Sequence, residues 1–217
     1  MIIANKQIKA VIFDLDGTLI DSSNIWSEID KAFFAKRGME IPKTYVDDIA
    51  HIGLKEAAIY TKNTYNIKES IEEIMDEWKQ GTLKQYKELI QLKPHVYDLL
   101  VMLKNEGIKL AIATANSKEL YEPCLKRLNI YDFFDYIGDV DEVKAGKNSV
   151  KLYDFVANKL NCKREETAVF EDISVGLKTA YENGFISVAV YDEHSKKEDE
   201  LKRKFSHLFI YNFKELL

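Results

Sequence analysis

Cysteine is scarce. The 217-residue chain has two, Cys124 and Cys162, and no CxxC pair. That argues against a metal or redox role for either thiol, and both are expected to be reduced, partly buried residues of amphipathic helices. No apolar run approaches the length of a membrane span. Residues 1–6 show no charged leader followed by an apolar stretch of signal-peptide length. The expected setting is a reducing cytoplasm. Charge of one sign is also lacking: the net charge is only −5, so electrostatics favour neither nucleic acid nor a membrane surface as partner. Internal repeats and low-complexity tracts are missing too. Nothing predicts more than a monomer or weak homodimer.

What is present is a core. Hydrophobic content of 46%, with 12% aromatics, supports a packed protein. The length suits one large domain, or one domain with a substantial insert. Val11, Ile12 and Phe13 form a short apolar run that suits a strand buried on both faces. It stops at Asp14-Leu15-Asp16-Gly17-Thr18, and Gly17 can turn the chain sharply. Asp and Gly are also ordinary turn residues, so chemistry here requires that other strand ends contribute.

From residue 21 to 91 the periodicity is helical. Ile25, Ile29, Ala32 and Phe33 mark one helix, with Gly38 as its stop. Leu54, Ala57, Ala58 and Thr61 mark a second; Ile71, Ile74, Met75 and Trp78 a third; Leu83 and Tyr86 a fourth. Such a run reads as an all-α insert. Alternation resumes near Pro94, with strands expected over residues 108–113, 136–138, 168–170, 185–190 and 208–210 and helices between them. That pattern implies a parallel sheet with right-handed crossovers. The expected division is a core of residues 1–20 and 92–217, and a helical domain of 21–91. The charge-rich stretch 192–204 reads as an exposed helix or loop with solvated faces.

Four strand ends would then offer polar groups on one rim: Asp14-x-Asp16, Thr114, the segment around Lys147, and Glu171-Asp172. Carboxylates suit Mg²⁺, which takes oxygen ligands. A hydroxyl and an ammonium suit phosphoryl oxygens. Asp14 would be free to attack phosphorus, as carboxylates do in acyl-phosphate catalysis. Thr114 has a competing reading as the cap of the next helix, and Lys147 a competitor in Lys144.

In these residues the chain resembles a haloacid dehalogenase superfamily phosphohydrolase, of the subfamily with a helical cap inserted after the first motif. Residues 14–18 (DLDGT) resemble the first family motif, 112–116 (IATAN) the second, and 170–176 (FEDISVG) the fourth. Residues 146–153 (GKNSVKLY) are similar to the third, usually GKPxPDxY, with Asn148, Val150 and Lys151 replacing its prolines and aspartate. The resemblance implies a Rossmann-like α/β core with helices on both faces of the sheet. It also implies a Mg²⁺-dependent phosphatase acting on a small phosphate ester through an aspartyl-phosphate. Asp14 would be nucleophile and metal ligand. Asp16 would be general acid and base, with its carbonyl on the metal. Thr114 and the Ala115 amide would hold phosphoryl oxygens, and Lys147 would neutralise charge. Asp172 would bind metal, with Glu171 either a ligand or just behind one. Gly17 and Thr18 would shape the loop. Asn116 either caps the next helix or touches substrate.

The insert would be the cap, closing over the rim. The loop read over residues 47–56 carries His51 and Lys55, which either contact substrate or are solvated; the resemblance implies that this loop points into the site. Trp26, Phe33, Phe34 and Trp78 are expected to be bundle core. A β-phosphoglucomutase-like phosphomutase is the nearest enzyme alternative, although His51 and Lys55 stand where an arginine-bearing loop is associated with that group. Asp16 argues against a dehalogenase or a phosphonoacetaldehyde hydrolase. A catalytically silent binding protein is the alternative outside enzymes.

Overall fold

The computed structural model describes residues 2–22, 24–49 and 54–217. In chain order its strands and α-helices are β1 (Ile2–Ile3), β2 (Lys6–Gln7), β3 (Ala10–Phe13), α1 (Ile25–Lys36), α2 (Tyr45–Ile49), α3 (Leu54–Tyr65), α4 (Ile71–Lys84), α5 (Val96–Asn105), β4 (Lys109–Thr114), α6 (Lys118–Arg127), β5 (Tyr136–Asp139), α7 (Val140–Val143), α8 (Val150–Lys159), β6 (Thr167–Glu171), α9 (Ser174–Glu182), β7 (Ile186–Val190), α10 (Asp199–Lys204) and β8 (Leu208–Ile210). The chain forms two compact units, Met1–Ser23 with Ile90–Leu217, and Asn24–Leu89.

The larger unit is built on a six-stranded sheet in the order β5-β4-β3-β6-β7-β8, and every neighbouring pair is parallel. The apolar run that ends at Asp14 takes the place between β4 and β6. Its residues are wholly buried, as expected of a central parallel strand. Phe13 lies in register with Ile112 on one side and Phe170 on the other, and the Phe13 and Phe170 rings sit 4.9 Å apart. That register brings Asp14, Thr114 and Glu171 to the carboxyl end of the sheet. The chain winds outward from β3 through β4 and β5, then returns to its other side at β6. Such a reversal is where open α/β sheets bind ligands. A small hairpin, β1 with β2, precedes the sheet; its turn residues Ala4 and Asn5 have positive φ, and the hydrophobic pattern gave no sign of it.

Among its described residues, the regular structure of the smaller unit is all helical. Phe33, Phe34, Tyr45 and Trp78 are buried, and Phe34 meets the Tyr45 and Tyr65 rings edge-on at 4.8 and 5.3 Å. The Tyr45 and Thr61 hydroxyls pair at 2.8 Å, which satisfies two polar groups inside that cluster. A capping box of Ser70 and Glu73 starts α4. Trp26 differs from expectation: it is 55% exposed and no part of the bundle core. The expected third and fourth helices are also one continuous path, because α4 runs directly into a π-helical turn, Gln85–Leu89.

Two further readings change. Cys124 is buried in α6, whereas Cys162 lies beyond the end of α8; both are free. Burial pushes the Cys124 thiol up to about 11. The 192–204 stretch is not simply solvated, since Lys202 is wholly buried and Asp192 nearly so. Among the described residues no helix is long and apolar enough to cross a membrane.

Candidate active site

The turn after β3 is set by its backbone. The Asp14 amide donates to the Phe170 carbonyl at 2.9 Å, extending the β3–β6 pairing one residue past the strand. The Leu19 and Ile20 amides both return to the Leu15 carbonyl, at 2.9 and 3.0 Å. Gly17 adopts φ +79°, and a Cβ there would overlap the Asp172 carboxylate. Only glycine meets both demands without strain. Thr18 is buried, and its hydroxyl lies 3.1 Å from Asp14 Oδ2 and 3.4 Å from Asp172 Oδ1.

Asp14, Glu171 and Asp172 come together. Each offers a carboxylate oxygen, and these atoms lie within 4.8 Å of one another. All three residues are buried. Lys147 supplies a cation, in contact with Asp14 Oδ1 and 3.0 Å from Glu171 Oε1. Burial opposes the charge on Lys147, but Asp14 and Glu171 outweigh it and raise its pKa. Lys147 does not sit at a strand end, as read from the sequence. It lies in the turn between α7 and α8, beyond the end of β5. Without the usual prolines, that turn is closed by a 3.0 Å bond from the Ser149 amide to the Gly146 carbonyl, and Ser149 caps α8. Lys144 is an exposed residue at the end of α7.

Three buried carboxyl groups share one cation, too little positive charge to keep all of them ionised. Burial first, then the neighbouring Asp14 and Glu171 charges, push the Asp172 carboxyl well above its ordinary range. Glu171 is raised as well, chiefly by burial, with Lys147 pulling the other way. Its Oε1 takes both Lys147 and the Tyr153 hydroxyl, the latter at 2.9 Å. Its Oε2 is buried and meets no hydrogen-bond partner among the described residues. An oxygen-liganded divalent cation fits this set: it would supply the missing charge and a partner for the orphaned oxygen.

Asp16 is placed differently. Its carboxylate is outside the group of three, and its Oδ2 accepts from the Asn116 side-chain amide. Neither Asn116 nor Thr114 caps α6, whose N-cap is Ser117. The Thr114 hydroxyl instead accepts from the Asn116 backbone amide at 3.0 Å, tightening the turn that carries Ala115. His51 lies outside the described residues. Lys55 is exposed in the first turn of α3, and residues 45–49 are helical, so the described residues of the stretch read as one loop belong to helix ends.

Some contributors escaped the sequence reading. From the sequence Tyr153 is only the last residue of the third motif, yet its hydroxyl donates to Glu171. A Cβ at Gly176 would lie 2.6 Å from Glu171 Oε1 and 2.7 Å from the Tyr153 hydroxyl, so that glycine makes room for the pair. A small residue one turn into a helix, just after a strand-end carboxylate, is the only signal the sequence offers.

The site's geometry agrees with what the chain is similar to. The family model for haloacid dehalogenase-like hydrolases matches residues 11–190. A phosphorylated carbohydrates phosphatase of Thermotoga maritima is 30% identical over 181 residues, covering 82% of each chain. A pyrophosphatase, PpaX, of Halalkalibacterium halodurans is 29% identical over 188 residues, covering 80% of this chain and 83% of its own. Among solved structures, a Thermotoga maritima protein provisionally named a β-phosphoglucomutase superposes with a TM-score of 0.83 at 26% identity, over 94% of each chain.

Proposed function

The chain belongs to the haloacid dehalogenase-like hydrolases, and we propose that it is a Mg²⁺-dependent phosphatase that hydrolyses a small phosphorylated metabolite through an aspartyl-phosphate on Asp14. One observation carries this reading: three buried carboxylates converge where Lys147 contacts both Asp14 and Glu171.

Asp14, Asp172 and Glu171 would hold the cation by carboxylate oxygens, with the Asp16 carbonyl as a further ligand. When bound, it would offset the repulsion between the Asp14 carboxylate and an anionic phosphate ester. Asp14 attacks phosphorus, forming one P–O bond as the bond to the leaving alkoxide breaks. Asp16 gives the alkoxide its proton. The same carboxylate then takes a proton from water, whose oxygen attacks phosphorus and releases inorganic phosphate and Asp14. The Thr114 hydroxyl and the Ala115 amide bind phosphoryl oxygens, and Lys147 offsets their charge. The interaction with Asn116 keeps Asp16 apart from the metal carboxylates, which suits a group that must carry a proton. The helical unit is assigned the role of cap and, with His51 and Lys55, that of selecting the substrate.

Carbohydrate phosphates come first among substrates, because a relative at 30% identity is named for them. The test is a panel of sugar phosphates, nucleotides and p-nitrophenyl phosphate with Mg²⁺, read as released phosphate for wild type and Asp14→Asn. Turnover by wild type alone is expected. A wild type inert across the panel would contradict the phosphatase reading. The neighbour named a β-phosphoglucomutase supports one alternative. A mutase would convert a hexose 1-phosphate to its 6-phosphate with no net phosphate release.

A further inference from the structure

Lys202 has no place in the chemistry above, yet its ammonium is wholly buried. A buried charge is costly unless it is paired and hydrogen-bonded. Here it lies 2.6 Å from Asp199 Oδ1 and donates to Ser195 Oγ at 3.1 Å. Ser195 Oγ in turn lies 2.7 Å from the Asp172 carbonyl and 3.4 Å from that of Asp192. A serine hydroxyl has one proton, and the shorter contact directs it to Asp172. Donation into that hydroxyl by an ammonium strengthens its own donation onward. The base of this arrangement is fixed as well: Asp192 is held by Lys93 at 2.7 Å and by the His194 amide at 2.9 Å.

A second tie lies two residues further on. Ile173, the N-cap of α9, offers no side-chain cap, so the amides of the first turn need other acceptors. Glu198 Oε2 accepts from the Ser174 amide at 2.7 Å.

We propose that residues 192–202 form a clamp that positions Asp172 for metal. Ser195, polarised by the Lys202 ammonium, fixes the Asp172 carbonyl, and Glu198 fixes the turn after it. Gly17, lacking a Cβ, leaves the Asp172 carboxylate room beside the turn after β3. Ser195, Glu198 and Lys202 are positioning residues that touch neither substrate nor metal. The proposal rests on the reading of Asp172 as a metal ligand.

The test is direct Mn²⁺ binding by the full chain, followed by electron paramagnetic resonance, for wild type, Asp172→Asn, Ser195→Ala and Ser195→Thr. Ser195→Ala is expected to weaken Mn²⁺ by about tenfold, as loss of a group behind a ligand does. Ser195→Thr, which keeps the hydroxyl, is expected to bind like wild type, and saturating metal should return most of the Ser195→Ala turnover. Lys202→Met should match Ser195→Ala if it folds, but the serine pair decides the matter without it. A Ser195→Ala protein that binds Mn²⁺ as wild type does, while Asp172→Asn has lost binding, overturns the clamp and leaves the metal site standing. A lower unfolding temperature without metal, with unchanged affinity, overturns it in the same way. If wild type binds no Mn²⁺, or Asp172→Asn binds it equally well, the metal reading fails and the clamp fails with it.

Discussion

The side-chain amide of Asn116 donates to Asp16 Oδ2, joining the turn after β4 to the turn after β3. The bond selects one orientation of the carboxylate proposed as acid and base. Asn116→Ala should leave that carboxylate free to turn, lowering kcat by about tenfold with KM little changed. Asp16→Asn should cost a hundredfold or more. Steady-state kinetics on p-nitrophenyl phosphate separates the two; an Asn116→Ala enzyme with wild-type kcat would show that Asp16 needs no such support.

Lys147 is the cation that the buried carboxylates share. Removing one partner of a buried pair typically costs about 3–5 kcal/mol. Lys147→Met should therefore lose turnover and unfold more readily without metal, and Mg²⁺ should restore part of the loss. The sign with pH follows from its raised pKa. The stabilisation is fully present below the ordinary lysine pKa and is lost only as pH rises through the higher folded value. Lys147 also holds the raised Glu171 and Asp172 carboxyls down, so the Lys147→Met deficit in chemical denaturation should persist as pH rises to 9 and shrink as pH falls and those carboxyls take up protons. A deficit that disappears as pH rises towards 9 would contradict the pairing.

The Tyr153 hydroxyl donates to Glu171, and Gly176 leaves room for the pair. Tyr153→Phe deletes a buried donor and should cost about 1–2 kcal/mol in stability. Gly176→Ala adds a methyl where Glu171 and Tyr153 already sit, and should cost about 1–3 kcal/mol while weakening metal binding. Alanine is otherwise the better helix former, so a Gly176→Ala protein more stable than wild type would show that the packing has room to spare.

In the helical unit, Asp30 is nearly buried, and desolvation pushes its carboxyl up to about 6. The folded protein then binds more protons than the unfolded chain between about pH 4 and 6, so this group makes stability fall as pH rises through that window. Asp30→Asn should flatten the fall and raise stability at pH 7.5 by about 2 kcal/mol. Equal unfolding free energies for the two proteins at pH 7.5 would contradict this.

The strands that hold the site were readable because each is a short apolar run ending abruptly in polar residues. Val11, Ile12 and Phe13 before Asp14, and Val169 and Phe170 before Glu171, are of this kind. Pairing by pattern also placed Asp14 and Glu171 at one end of the sheet. What escaped depends on contacts distant in sequence. The spacing of residues 192–204 mimics a solvated surface, because a buried lysine and an exposed one look alike until the partner is known. Lys202 has Asp199 and Ser195, and Ser195 has the Asp172 carbonyl. Asn116 was readable as polar, but its partner lies 100 residues earlier. Trp26 kept a helical phase with Phe33 and still faces solvent, since phase alone does not say which residues of a stripe the neighbouring helices reach.

An oxygen of the Asp14 carboxylate is the proposed acceptor of phosphorus. The direct measurement is to quench the enzyme during turnover of a good substrate with Mg²⁺, reduce with borohydride, and map the peptides by mass spectrometry. An aspartyl-phosphate at residue 14 would be recovered as homoserine there, and the same treatment without substrate should give none. Homoserine at another aspartate, or none under conditions of rapid phosphate release, would contradict the assignment of Asp14.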